Sequence, residues 1–175
     1  MKTKISVILT TYNVEKYIKE SIMSLINQNF TDYEVIVLDD GSKDKTLEIV
    51  KKYSDNFDFI KLRSYENLKG GTLRDEGFKA SKGEYIIFLD GVDIFHEDLL
   101  YKMYEKIKTE KADICICNSF EFLGNKKNIL KRHFHKTLPY GWAWDKLIKR
   151  SLIEKNKEVF SSLKSANNIL FASLS

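Results

Sequence analysis

The chain has 175 residues, 43% of them hydrophobic and 13% aromatic, with 29 basic and 25 acidic residues and a net charge of +4. That length fits one domain, or one and an unfinished second, and with a single proline, Pro139, and no Gly/Ser-rich linker the chain reads as one compact unit. The basic residues are spread over many segments, which argues against the concentrated stripe of a nucleic-acid binder.

Met1 to Lys4 is basic, but the apolar run after it, Ile5 to Leu9, is too short for a secretory leader and passes straight into Thr10-Thr11-Tyr12-Asn13. No run approaches the ~20 apolar residues of a membrane span. A cytosolic protein is expected, with contact to a membrane surface as the further option.

Ile5 to Leu9 predicts a buried strand. Tyr17, Ile18, Ile22, Leu25 and Ile26 recur at steps of three and four and predict a helix. Tyr33 to Leu38 predicts a second strand, ending in Asp39-Asp40-Gly41-Ser42. Ser42 or Asp44 can cap the helix that carries Leu47, Ile49 and Val50. Phe59 to Leu62 is a short third strand. A glycine-bearing loop, Asn67 to Gly71, leads to a helix through Leu73, Phe78 and Ala80. Tyr85 to Leu89 is a fourth strand, ending in Asp90-Gly91-Val92-Asp93, and Glu97 and Asp98 open the helix after it.

Ile114 to Cys117 is a fifth strand. It carries both cysteines, Cys115 and Cys117, two apart and so on one face, expected as buried free thiols of a reducing compartment. Beyond Asn118 the pattern weakens. Lys126 to Arg132 is the densest basic stretch, read as a solvated face in preference to a lipid or phosphate contact. A strand is expected over Ile129 to Phe134, an aromatic segment from Tyr140 to Leu147, and a helical stretch over Asn167 to Leu174.

Strands that are short, apolar and β-branched, alternating with amphipathic helices, predict an α/β fold with an open, mostly parallel sheet covered by helices on both faces. Ligands of such sheets sit beyond the carboxyl ends of the strands. The polar motifs fall there. Tyr12 can stack on a nucleobase or pack in its loop. Asp39 and Asp40 can accept from base or ribose donors, or cap a turn. Asp90 and Asp93 can hold a divalent cation against a sugar diphosphate, or form an ordinary acidic turn. His133 and His135 share a strand face without an evident third ligand. Trp142 and Trp144 suit a sugar-stacking wall or the core. The Gly-x-Gly-x-x-Gly turn of a dinucleotide enzyme is missing after the first strand.

Taken together, "ISVILTTYN", "EVIVLDDGSKDKT" and "GEYIIFLDGVD" resemble the successive signatures of family 2 inverting glycosyltransferases with the Rossmann-like GT-A fold. The order and spacing match over residues 5 to about 118. The later "WAWDKLIKRSLI" is similar to a segment of bacterial polysaccharide and lipooligosaccharide members. The resemblance implies a nucleotide-sugar-binding α/β half over residues 1–118. It makes residues 119–175 an acceptor-side segment of the same domain that stops earlier than family members usually do. It implies a UDP-sugar donor, a glycan or lipid-linked glycan acceptor, and a place in the cytoplasm at the inner face of the cell membrane.

Carried residue by residue, Thr10 and Tyr12 match positions that contact uracil or ribose. Asp40 matches the base-recognising aspartate, with Asp39 beside it. Arg74 matches the first residue of an Arg-Asn pair, here followed by Asp75. Asp90 matches the first acid of the DXD triplet, whose ion would be Mn2+ or Mg2+. The triplet's second acid stands as Val92, so Asp93 is the only acid left to join Asp90 at the metal. The general-base position stands as Asn168, whose amide cannot accept a proton, and Asp145 is the nearby carboxylate proposed as a substitute, unless it forms a surface ion pair with Lys146 or Lys149. These departures leave a second expectation beside the sugar transferase: a catalytically impaired nucleotide-sugar-binding or interaction module of the same fold.

Overall fold

The computed structural model describes residues 3–66, 68, 70–122, 129–133 and 145–156. In chain order it holds β1 (Ile5–Thr11), α1 (Ile18–Ile26), β2 (Tyr33–Asp39), α2 (Thr46–Ser54), β3 (Ile60–Ser64), α3 (Gly70–Ala80) and β4 (Tyr85–Asp90). Then come α4 (Leu99–Thr109), β5 (Ile114–Ile116), β6 (Ser119–Phe122), β7 (Ile129–His133), β8 (Lys146–Lys149) and α5 (Arg150–Lys155). Six strands form one sheet in the order β3-β2-β1-β4-β8-β5, and β6 and β7 form a separate antiparallel pair.

β1 lies between β2 and β4, parallel to both. Because side chains alternate along a strand, the odd positions Val7, Leu9, Val35, Val37, Ile87 and Leu89 face one layer, with Ile18, Ile22 and Leu25 of α1, Val50 of α2 and Leu100, Met103 and Ile107 of α4. The even positions Ile8, Ile36, Leu38, Ile86 and Phe88 face the other, with Leu73 of α3 and Ile153 of α5. Burying such side chains contributes about 1.5–3 kcal/mol each. It also makes the strands apolar on both faces, as a sheet covered on both sides requires. The α/β architecture expected from the sequence is the one observed.

The departures are local. Tyr17 precedes α1 and is 56% exposed, so the buried helical stripe begins at Ile18. Asp98 stands at the start of α4 without a side-chain cap bond. Cys115 and Cys117 do share a face, packed against the α1 layer, but are half-buried rather than fully buried.

The chain after residue 118 departs more. β7 forms where a strand was expected, paired with the unforeseen β6. β8, which begins at the end of the aromatic segment, inserts antiparallel between β4 and β5. Residues 145–149 thereby join the sheet of the first half. Asn168, Trp142, Trp144, His135 and the helical stretch expected over residues 167–174 lie outside the described residues. Among the described residues, no helix is long and apolar enough to cross a membrane.

Candidate active site

Three strand ends converge where β1, β2 and β4 stop. The register sets Thr10 beside Asp90 on one side and Thr11 beside Asp39 on the other. The same alternation that sorts the core sorts these polar residues. Thr10, Asp40 and Asp90 continue the even series and emerge on the α3 face. Thr11 and Asp39 continue the odd series and turn toward the α1 layer.

The consequence for Asp39 is complete burial. Its Oδ1 accepts from the hydroxyls of Thr11 and Ser42, and its Oδ2 from the backbone N–H groups of Gly41 and Ser42. All four bonds are internal, and Gly41 itself needs a positive φ of 79°. Asp39 therefore shapes the turn from within, and a direct contact with a donor molecule, expected from the sequence, does not suit this position. Asp40 is partly exposed, and its Oδ1 accepts from the N–H of Leu68 at 2.6 Å, which ties the strand end to the chain entering α3.

On the opposite side of β1, Asp90 Oδ1 accepts from the Thr10 hydroxyl at 2.8 Å and from the Arg74 guanidinium at 3.2 Å. Arg74 comes from α3, which lies very close to the sheet at Gly77. A Cβ there would run into Ile8 and stand 2.6 Å from Leu38 Cδ1. Arg74 is one turn earlier, about 4.5 Å nearer the strand ends. Thr10, Asp40, Arg74 and Asp90 thus stand together on one face of the sheet's carboxyl edge.

Above them the loop after β1 presents Tyr12, 57% exposed. This loop is stitched to the turn after β2. Asn13 donates its N–H to Ser42 Oγ and accepts from Lys43 N through its own side chain. Val14 N–H donates to Thr46 Oγ1, Glu15 N–H to Asp44, and Lys45 N–H to Glu15. Asn13 holds φ at 50°, a left-handed conformation that asparagine tolerates better than most residues. By sequence no role falls to Glu15 or to the Asn13 side chain, and none to Asp44 beyond capping. The signal available was an asparagine directly after the aromatic residue in a strand-end loop. Asp44 also accepts from Thr46 N–H at the start of α2, in keeping with its expected capping role.

The loop after β4 carries Gly91, Val92 and Asp93. Gly91 is buried, with Val14, Thr11 and the Thr10 carbonyl 3.0–3.3 Å from where a Cβ would stand. Val92 points outward and is 50% exposed. Burial, and then the charge of Asp90, raise the Asp93 carboxyl to about 6. Farther along, this loop is strapped to α1, with Phe95 N–H donating to Ser24 Oγ and Gln28 bonding His96 O and Leu100 N–H. A cleft of about 290 Å³ lined by Met23, Ser24, Ile94 and Phe95 opens here. It lies on the α1 side, away from the polar cluster of the α3 face.

A divalent cation at Asp90 and Asp93 fits these residues poorly. The oxygen of Asp90 that faces the cluster is already bridged by a hydroxyl and a guanidinium. Val92 brings no oxygen, and no group of three His, Cys, Asp or Glu side chains able to hold a metal occurs among the described residues. Asp145 forms the ion pair with Lys146 that the sequence offered as an alternative, but inside the protein rather than at its surface. It is fully buried, its Oδ1 accepting from the ammonium of the equally buried Lys146. In this arrangement the carboxylate presents no surface to an acceptor hydroxyl. Lys149 pairs with Asp113 instead.

Comparison with known proteins adds an independent observation. The family model described as glycosyl transferase family 2 matches residues 6–166. A cholesterol galactosyltransferase of Borreliella burgdorferi is 34% identical over 89% of this chain and 50% of its own length. TarP, a poly(ribitol-phosphate) β-N-acetylglucosaminyltransferase of Staphylococcus aureus, is 33% identical over 96% of this chain and 56% of its own. The crystal structure of S. aureus TarS 1–349 in complex with UDP-GlcNAc superposes with a TM-score of 0.73 at 29% identity, covering 88% of this chain and 47% of that one. The chain spans about half the length of the curated relatives it matches.

Proposed function

The chain belongs to glycosyl transferase family 2, and from that premise we propose that its strand-end cluster binds a UDP-sugar and serves transfer of the sugar to a glycan or lipid-linked glycan acceptor. The observation that carries this reading is the meeting of Thr10, Asp40, Arg74 and Asp90 on one face of the carboxyl edge, below the exposed ring of Tyr12. Tyr12 offers a stacking surface for the uracil. The Asp40 carboxylate accepts from the base imide N–H, and Thr10 and Asp90 meet the ribose hydroxyls. A solved relative carries UDP-GlcNAc, which supports a uridine donor.

In the transfer, the acceptor oxygen forms a bond to the anomeric carbon from the face opposite the diphosphate. The carbon–oxygen bond to the diphosphate breaks, UDP leaves, and the acceptor's proton passes to a base. No described residue fills that last role, and the position matched to it, Asn168, lies outside the described residues. We place the protein in the cytoplasm at the inner face of the membrane, where nucleotide sugars and lipid-linked acceptors meet. The exposed, oxygen-free Val92 favours the second reading, a nucleotide-sugar-binding module with impaired turnover.

Thermal melting with UDP, UDP-GlcNAc, GDP and ADP tests the donor site. Saturating UDP at a hundredfold excess over its Kd adds about 2.7 kcal/mol of stability, and Tyr12→Ala loses most of that gain without changing the melting of the free protein. If no nucleotide raises the melting temperature, the donor-site reading falls.

A further inference from the structure

Among the described residues, the cluster on the α3 face holds one built-in cation, and its placement bears on how the donor's diphosphate is neutralised. Arg74 is 19% exposed and is held by Asp90, whose own side chain is 38% exposed. It projects from a helix pressed onto the sheet at Gly77. The ordinary way to meet a diphosphate at such a strand end is a divalent cation on one or two carboxylates, with the phosphates and water completing its shell. Here that arrangement meets two obstacles. The first is Val92, which stands outward in the loop between Asp90 and Asp93 and offers no oxygen. The second is Arg74 itself, which already places a positive charge on Asp90 Oδ1 at 3.2 Å. A metal ion bound to that carboxylate would sit against a guanidinium.

We infer that this chain binds the diphosphate of its nucleotide without a divalent cation, with Arg74 supplying the positive charge and Val92 setting the metal independence. The inference rests on the donor-site reading above. A guanidinium presents several N–H groups in a fixed fork and can keep one carboxylate while donating to a phosphate oxygen. Arg74 is thus a binding residue for the diphosphate as well as a partner of Asp90.

Calorimetric titration of the whole chain with UDP and with uridine, in EDTA and in MnCl2, separates the outcomes. The expected result is a UDP affinity that changes by less than about twofold between the two conditions, because no ion is shared between protein and phosphate. Arg74→Gln should weaken UDP by about tenfold, equivalent to about 1.4 kcal/mol, and weaken uridine, which carries no diphosphate, by less than about threefold. Val92→Asp, a substitution at an exposed loop position, should make UDP binding tighten by about tenfold or more with Mn2+.

UDP binding by the unaltered chain that needs Mn2+ overturns the inference and leaves the donor site standing. Loss of uridine and UDP alike in Arg74→Gln overturns the assignment of Arg74 to the diphosphate. A Val92→Asp protein indifferent to Mn2+ overturns the part given to Val92. Failure of UDP to bind in either condition sinks the donor-site reading and this inference with it.

Discussion

Asp39 and Asp40 are adjacent in sequence and chemically identical, yet one is internal framework and the other is open to a ligand. Strand parity divides them: Asp40 shares its face with Leu38 and Thr10, whereas Asp39 shares its face with Val37. That division was legible in principle, since the alternation of Val35, Val37 against Ile36, Leu38 is written in the sequence. What the sequence lacks is which face carries the site, because both faces of this sheet are equally apolar. Asp93 illustrates a different limit, since its environment depends on how a loop folds back. Its carboxyl rises from 3.8 to about 6, which corresponds to about 3 kcal/mol against the charged form. The folded-state value lies above the unfolded one, so the folded protein binds more protons between about pH 4 and 6. Stability therefore falls as pH rises through that window, and the penalty is complete above it. Asp93→Asn should raise the melting temperature by about 6–12 °C at pH 7 and leave it nearly unchanged at pH 4. An equal shift at both values would show that the effect is not one of ionisation.

At the scale of elements, α3 joins fold to site. Its interior glycine, Gly77, is by sequence only a weak point of a helix, because Gly costs about 1 kcal/mol against Ala there. In the structure that glycine lets the helix approach Ile8 and Leu38 and so carries Arg74 to Asp90. Gly77→Ala gains the helix propensity but must displace both apolar side chains, an overpacking cost of about 1–3 kcal/mol. The net expectation is a loss of about 1 kcal/mol in urea unfolding, with weaker UDP binding as the helix lifts. A more stable variant with unchanged affinity would mean that the close approach has no part in the site. The strands β1, β2 and β4 were legible because each is a nearly continuous apolar run bounded by polar strand ends, whereas β3, Ile60 to Ser64, is short and half polar. β8 was not, since Lys146-Leu147-Ile148-Lys149 is short, flanked by lysines, and finds its partners β4 and β5 far away along the chain. Such nonlocal pairing has no local signature.

For the whole molecule, β8 decides how the two parts of the chain cohere. It brings Asp145 and Lys146 to full burial beside the sheet, and α5 then anchors at the opposite edge. There Arg150 donates to the Gly83 carbonyl and the Ser81 hydroxyl and lies over the Phe78 ring. Two charges without exposed surface are costly unless paired, and removing one partner of such a pair costs about 3–5 kcal/mol, while replacing both with apolar residues is often neutral. Lys146→Met alone should therefore destabilise strongly in urea unfolding, and Asp145→Leu with Lys146→Met should recover most of the loss. The recovered double variant also decides the chemistry of Asp145. If the carboxylate only holds β8 in the sheet, the double variant keeps both its UDP affinity and whatever transferase rate the unaltered chain shows. A double variant that is stable and binds UDP but has lost turnover by more than about a hundredfold, the scale of a missing general base, would return Asp145 to the reaction despite its burial.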